Sequence, residues 1–155
     1  MSSYRRLYVP GGTYHFVVCL ADRRRTTLTD HLAELTASFR AVRAKRPFDT
    51  VAMAVMPDHL HAIWTLPPDD DDFSTRWRLI KHGFVRRVGA GRGRRAGERA
   101  LFQRRFWEHV VRGPDALDRH VAYVHWNPVK HGYAADPDDW PHSTWHRWKA
   151  AFGRT

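Results

Sequence analysis

The pattern of hydrophobic and polar positions along the chain predicts an alternation of strands and helices. Thr13–Leu20 and Thr50–Met56 are short runs rich in apolar and β-branched residues, which is typical of strands. His59–Leu66 follows a Pro-Asp turn and alternates in polarity, so we predict a third strand in an antiparallel hairpin with the second. A fourth strand is predicted at Leu101–Val111, which carries several apolar and aromatic residues for packing.

Helical spacing of apolar residues separates these strands. One helix is predicted over Leu32–Arg46 and is ended by Pro47. A second is predicted over Ser74–Val88, after four consecutive aspartates that suit the positive end of a helix dipole. A third is predicted over Ala116–Trp126 and is expected to stop just before Pro128, because proline disfavours helical geometry in the residue that precedes it.

The order of these elements is strand, helix, strand, strand, helix, strand, followed by one more helix. This is the ferredoxin-like split βαβ arrangement. We therefore predict an α+β protein with a four-stranded antiparallel sheet, helices packed on one face and an additional C-terminal helix. With 155 residues and 43% hydrophobic content, the chain fits a single domain over residues 1–155. The tail at residues 133–155 carries tryptophans and basic residues, and it could pack over the sheet or stack on bases.

The charge distribution points to a polyanionic partner. The formal net charge is +10, and residues 73–105 hold eleven lysines and arginines against one acid, Glu98, so this segment accounts for the whole net charge. A concentrated basic surface favours nucleic acid as the partner. The loop Gly89–Gly97 is expected to settle on a phosphodiester backbone. The side chains predicted to contact DNA are Arg76, Arg78, Lys81, Arg86, Arg87, Arg104, Arg105 and Trp107.

Other features narrow the expected location of the protein. No apolar run approaches the roughly 20 residues of a membrane span, and the N-terminus lacks the apolar core of a secretory signal. Cys19 is the single cysteine, which excludes an intramolecular disulfide and a cysteine-based zinc site. We expect a cytoplasmic, nucleoid-associated protein with no membrane partner.

Two pairs of residues are candidates for chemistry. His59 and His61 are two apart on a predicted strand, so their imidazoles project from one face and can converge on a metal ion. The same pattern also fits a half-buried strand with two histidines on its polar face. Tyr123 and Asn127 are four apart on a predicted helix and share a face with His120. Taken alone, their positions favour a half-buried aromatic residue and an Asn-Pro helix end over a functional role.

These segments together resemble the HUH single-strand DNA nucleases, in which two histidines flank one hydrophobic residue, here Leu60. More closely, the chain resembles the REP-associated tyrosine transposases, a group of single-tyrosine HUH transposases. The resemblance covers nearly the whole chain in order. The matching stretches are YRRLYVPGGTYHF (4–16), MPDHLHAIWTLP (56–67), DFSTRWRLIKHGF (72–84), GERALFQRRFWEH (97–109), HVAYVHWNPVKHGY (120–133) and DWPHS (139–143).

The resemblance implies an activity and a set of roles. His59 and His61 would be ligands of a divalent cation, Mg²⁺ or Mn²⁺, and Tyr123 would be the nucleophile. Asn127 would be a third ligand, although related insertion-sequence transposases carry a longer glutamine at this position. The implied enzyme is a metal-dependent single-stranded DNA endonuclease and strand transferase that acts on repetitive extragenic palindromic hairpins through a 5′-phosphotyrosine.

The pattern leaves one other functional class and the assembly open. The alternative is a non-catalytic protein that binds hairpin DNA or RNA on a ferredoxin-like fold. The protein could act as a monomer or as a homodimer.

Overall fold

One antiparallel sheet organises the fold, and the computed structural model describes residues 6–89 and 100–152. The strands are β1 (Thr13–Cys19), β2 (Asp49–Val55), β3 (His59–Thr65) and β4 (Trp107–Val110), in the spatial order β2–β3–β1–β4. The helices are α1 (Thr27–Asp30), α2 (Leu32–Lys45), α3 (Phe73–Val88), α4 (Pro114–Lys130) and α5 (Trp145–Phe152), with a 3₁₀ turn at Pro137–Asp139. This order confirms the predicted α+β, ferredoxin-like arrangement. Among the described residues, no helix has the length and apolarity needed to cross a membrane.

The alternation along β3 sends two sets of side chains to opposite faces of the sheet. Leu60, Ala62 and Trp64 are buried in the larger core, together with apolar residues of α2 and α3. Trp64 stacks on Trp77 of α3 with ring centroids 4.3 Å apart. Because a shift of one residue would turn these side chains away from the core, their burial fixes the register of β3. It thereby fixes which face carries the histidines.

Helix α4 covers the other face of the sheet, over β2 and β3. Val121 and Val124 on the helix pack against Ala52, Ala54 and Ile63 of the two strands. The small alanine side chains let the helix lie close to the sheet, since interiors pack without voids. Helices α2 and α3 therefore occupy one face, as predicted, and the additional helix occupies the opposite face.

Helix α4 continues beyond the end that the sequence predicted for it. It runs through Pro128 to Lys130, whereas the proline was expected to end it. Pro128 lies in the last turn, where its missing N–H removes one hydrogen bond, and the next amides still find acceptors: His131 N–H donates to the Asn127 carbonyl. Gly132, with φ of 78°, follows the helix end in a left-handed conformation that glycine adopts without strain. The extra residues bring Lys130 onto the helix.

Strand β4 is shorter than predicted. Only Trp107–Val110 pairs as a strand, although Leu101–Val111 was expected, and Phe102 makes an isolated bridge to Leu20. The residues at 103–105 are all exposed, which breaks the alternation of a strand that packs on one face.

The C-terminal tail packs against the free edge of the sheet. The Trp148 and Trp140 indoles donate to the backbone carbonyls of Val51 and Val55, at 2.7 and 2.9 Å. Ser143 forms an isolated bridge with Ala54 of β2. The tail therefore protects an edge strand, which resolves the choice that the sequence left open in favour of packing.

Arg76 is the one predicted DNA contact that the structure places in the interior. It was expected on the exposed side of its helix, but it is only 1% exposed. Its guanidinium makes two hydrogen bonds to the Asp70 carboxylate, at 2.8 and 2.9 Å. It also donates to the carbonyls of Arg46, Pro47 and Asp72, at 3.1, 2.8 and 3.0 Å. The expectation that Arg76 faces DNA is therefore wrong, because it ties the start of α3 to the end of α2.

Replacing Arg76 with methionine should lower the free energy of unfolding by about 3 kcal/mol, because Asp70 and several carbonyls lose their donor. This is the lower end of the usual range, since the Asp70 side chain keeps 33% of its surface exposed. Urea denaturation followed by tryptophan fluorescence measures the change. Arg78→Met on the exposed side of the same helix is the matched control and should change stability by less than ~0.5 kcal/mol. Equal losses in the two variants would contradict the structural role of Arg76.

Candidate active site

The two histidines of β3 lie side by side beneath α4. His59 and His61 are 3% and 4% exposed, and their ring centroids are 5.4 Å apart. Their placement follows from the two-residue period of the strand, as the sequence predicted. Burial, followed by the nearby His15 and His59, lowers the pKa of His61 to about 2. The ring of His61 is therefore neutral at physiological pH and keeps a lone pair that can bind a metal.

Each ring of the pair is held through its Nδ1 atom. The Nδ1 of His59 lies 2.8 Å from Oδ1 of Asp58, and Arg23 Nε donates to the other carboxylate oxygen at 2.5 Å. Burial raises the pKa of Asp58, but the hydrogen bonds from His59 and Arg23 outweigh it, and the net pKa is lowered. The Nδ1 of His61 lies 2.9 Å from Nε2 of His15. Such contacts fix ring orientation and leave the Nε2 atoms to face a ligand.

Asn127 approaches the pair from α4. It is fully buried, and its Oδ1 lies 3.2 Å from Nε2 of His59. Its Nδ2 has no hydrogen-bond partner among the described residues. An unpaired buried amide is costly, so it marks a place where a further group is expected to bind.

The donor set at this point fits a divalent cation. It consists of Nε2 of His59, Nε2 of His61 and Oδ1 of Asn127, and nitrogen and oxygen donors suit divalent transition metals. No three histidine, cysteine or acidic side chains converge on a metal position anywhere in residues 6–89 and 100–152. The amide oxygen of Asn127 lies next to the histidine pair, 3.2 Å from Nε2 of His59.

Tyr123 lies one helical turn before Asn127, beside His61 and His15. Its ring centroid is 5.6 Å from that of His61 and 6.0 Å from that of His15. The side chain is 45% exposed, and its hydroxyl accepts a hydrogen bond from Lys130 Nζ at 3.0 Å. Tyr123 and the histidine pair belong to the same chain, and the tyrosine ring packs against His61 of the pair.

Helix α4 carries two histidines, His120 and His125, which have different surroundings. His120 lies at the site, where its Nδ1 is 2.8 Å from Nδ1 of His15. His125 points away from the site. Its Nε2 is 2.8 Å from the Thr144 hydroxyl, and its ring packs between Trp145 and Trp148. His125 therefore anchors the tail to α4 and takes no part in the site.

The predicted DNA-contacting side chains other than Arg76 are mostly at the surface. Those that are exposed are Arg78, Arg86, Arg87, Arg104, Arg105 and Trp107. Lys81 is half-buried, donates to the Gln103 carbonyl at 3.1 Å, and has a pKa lowered by burial. Most of the basic loop predicted at Gly89–Gly97 lies outside the described residues, which stop at 89 and resume at 100.

Comparison with known proteins places the chain in a family. Residues 8–126 match the family described as IS200-like transposases. The REP-associated tyrosine transposase of Escherichia coli K12 is 45% identical over 95% of this chain and 84% of its own length.

The chain belongs to the IS200-like transposases, within the REP-associated tyrosine transposases. A solved structure of a REP-associated tyrosine transposase bound to a REP hairpin is 44% identical, with a TM-score of 0.89 over 99% of this chain and 87% of the other. A Haemophilus influenzae protein, provisionally assigned to the same group, is 38% identical over 95% of this chain and 87% of its own length. The chain is thus a DNA-processing enzyme of the tyrosine transposase type.

Several residues around the transposase site were missed or undervalued in the sequence. Asp58 was interpreted as a turn residue, and its hydrogen bond to His59 depends on a turn geometry that composition does not reveal. His15 holds His61 through a contact between residues 46 apart in the sequence, which local periodicity does not reveal. Lys130 was missed because the helix was expected to end before it.

The buried His125 should make stability depend on pH. Burial lowers its pKa to about 4. An unfolded histidine gains a proton as the pH falls through about 6.5, whereas the folded one stays neutral until about pH 4. The contribution of the neutral His125 to the free energy of unfolding is therefore fully present above pH 6.5. It is lost as the pH falls towards 4. His125→Gln should flatten this dependence by up to ~1.4 kcal/mol per pH unit.

Urea denaturation at pH 7, 6 and 5 in EDTA measures the slope for His125→Gln. His82→Gln, an exposed histidine on α3, is the control and should keep the wild-type slope. An unchanged slope in His125→Gln would show that the buried ring does not titrate as described.

Proposed function

We propose that this transposase nicks and rejoins single-stranded DNA next to REP-type hairpins, with Tyr123 as the nucleophile. The observation that supports this most directly is the position of the Tyr123 ring, whose centroid lies 5.6 Å from that of His61. The hydroxyl on this ring accepts a hydrogen bond from Lys130. A phenol, two imidazoles and an amide oxygen meet there within one chain. This combination suits attack by the phenol on a phosphodiester, because the donor set would hold a cation close to the attacked phosphate.

His59, His61 and Asn127 would hold the divalent cation, Mg²⁺ or Mn²⁺. When bound, the ion would neutralise charge on the non-bridging phosphate oxygens and orient the phosphate. Asp58 and His15 would keep the two imidazoles in the orientation and tautomer that the ligand role requires, since each contacts one Nδ1 atom. The imidazole donors favour Mn²⁺ over Mg²⁺.

Tyr123 forms a covalent bond to the 5′-phosphate as the bond from phosphorus to the 3′-oxygen breaks. The phenol loses its proton and the leaving 3′-oxygen gains one, so the products are a 5′-phosphotyrosine and a free 3′-OH. A second 3′-OH can reverse the step and join two strands, because the covalent bond retains the energy of the phosphodiester.

Lys130 has a direct part in this step. A free tyrosine has a pKa near 10, so its phenol is a weak nucleophile at neutral pH. The Lys130 ammonium lies 3.0 Å from the Tyr123 oxygen and 4.8 Å from the ring centroid. A positive charge at this distance stabilises the phenolate that forms as the proton leaves.

The substrate follows from charge and from the relatives. The exposed arginines of α3 and of residues 104–105 offer a basic surface for a hairpin stem, and binding should weaken steeply with salt. The related structure with a REP hairpin supports the same class of DNA for this chain. The scissile segment must be unpaired, because a duplex would keep its phosphate away from the half-buried tyrosine.

Replacing Tyr123 with phenylalanine should abolish covalent attachment and preserve hairpin binding, because only the attacking oxygen is removed. Labelled REP-type hairpins with single-stranded flanks are incubated with protein and Mn²⁺, then run on a denaturing gel. Wild type should give a band at the mass of protein plus oligonucleotide, and EDTA should remove it. Tyr8→Phe, at a tyrosine that is 48% exposed and stacks on Phe73, is the matched control and should keep the band. An adduct of unchanged yield in Tyr123→Phe would refute the assignment.

Lys130→Met should slow adduct formation by roughly 10²-fold, the usual loss when one donor to a developing oxyanion is removed. Hairpin affinity should change little, since the lysine acts on the tyrosine oxygen. Single-turnover gels give the rate, and filter binding in EDTA gives the affinity. Lys45→Met, at an exposed lysine on α2, is the control. A normal rate in Lys130→Met, or a loss of affinity that matches the loss of rate, would contradict this role.

A further inference from the structure

A cavity of about 420 Å³ opens beside Tyr123, on the part of the sheet that α4 leaves uncovered. We call it the Trp107 cavity, and its wall is formed by His15, Val17, His61, Trp107, Arg119, His120 and Tyr123. Its volume falls in the range of roughly 300–1,000 Å³ that is typical of small-molecule sites. Most of the wall consists of flat rings, and the one arginine, Arg119, is exposed. The cavity is therefore shaped for a flat group rather than for a second phosphate.

Trp107 is the most unusual residue of this wall, because a large aromatic side chain on a strand is left 47% exposed. Its ring meets the edge of His15 at 5.4 Å and lies parallel to His109 at 5.8 Å. The register places Val17 opposite both His61 and Trp107, so the three residues form one row across the sheet. The indole thus lies two strands from His61, roughly 10 Å at the usual strand spacing.

A second cavity adjoins the first and shares Val17 and Trp107 with it. Its wall includes Arg105, which is exposed, and Arg6. Arg105 and Arg119 therefore lie on different sides of the indole, one in each cavity. A single DNA strand crossing this face would find a cation before and after the ring, which matches the alternation of phosphate and base along the strand.

We propose that the Trp107 cavity receives one unpaired nucleobase of the strand whose phosphate lies at Tyr123, and that the Trp107 indole stacks on that base. The inference rests on the proposed function for the position of the strand, and it assigns a distinct subsite to the neighbouring base. The flat apolar face of a base matches the indole of Trp107. The polar edge of the base matches the side chains of His120 and Arg119. A paired base would have its edge occupied by its partner, so the cavity selects unpaired DNA.

Fluorescence of 2-aminopurine tests the stacking directly. The probe is a REP-type hairpin in which 2-aminopurine replaces one unpaired base at a time, and the protein carries Tyr123→Phe, in EDTA, so that no cleavage intervenes. We expect quenching on binding at one flanking position, loss of that quenching when Trp107→Ala is added, and retention with Trp126→Ala. Trp126 is 48% exposed and does not line the cavity, so it is a matched control. Quenching that is absent at every position, or is the same with and without Trp107, would overturn the proposal.

Affinity measurements give a second, independent test. Trp107→Ala should weaken hairpin binding about 5- to 150-fold, the range expected for loss of one base–aromatic stack. In the protein that retains Trp107, an abasic site at the quenched position should weaken binding about as much as Trp107→Ala does. In the Trp107→Ala variant, the same abasic site should cause no further loss of affinity. Additive losses would overturn the proposal, because they would mean that the base and the indole act separately. The adduct assay on wild type tests the role of Tyr123, whereas the fluorescence and affinity measurements test the stacking on Trp107. Failure of the stacking proposal and failure of the nuclease proposal are therefore distinguishable.

Discussion

The packing of α4 against the face formed by β2 and β3 is the interaction on which the rest of the site depends. Val121 and Val124 press on Ala52, Ala54 and Ile63, and the same helix carries Tyr123, Asn127 and Lys130. Strand β3 contributes the histidines on the face that the helix covers, because its other face is committed to the larger core. The site is thus a property of the contact between a helix and a sheet, and each element alone presents only half of the groups.

The charges of the molecule are arranged in layers around this contact. The imidazoles inside are kept neutral by burial, which lowers the pKa of His15 to about 3 and that of His61 to about 2. The positive charges stand outside them, on Lys130 and on the exposed arginines of the sheet and helix surface. A neutral interior can accept a cation without repulsion, while the basic exterior attracts the DNA backbone. Arg76 is a basic residue with a purely structural role, since its guanidinium is hydrogen-bonded to Asp70 and backbone carbonyls.

The sequence could predict those parts of the structure that follow from local periodicity. The shared face of His59 and His61 follows from a strand period of two, and the shared face of Tyr123 and Asn127 follows from helical spacing. Features set by tertiary contact could not be predicted in this way. The continuation of α4 through Pro128 was also missed, although the amides that follow it find local acceptors, such as the Asn127 carbonyl for His131. Arg76 was expected at the surface. Its burial was missed because its hydrogen-bond acceptors lie at the end of another helix and in a loop.

The most direct test of the account is the location of Mn²⁺ in crystals of the wild-type protein, found by anomalous scattering at the manganese edge. The account predicts one strong peak within bonding distance of Nε2 of His59, Nε2 of His61 and Oδ1 of Asn127, with the hydroxyl of Tyr123 from the same chain facing it. A peak elsewhere, or one that faces a tyrosine from another molecule, would contradict the claim that the strand and helix of one chain build the site.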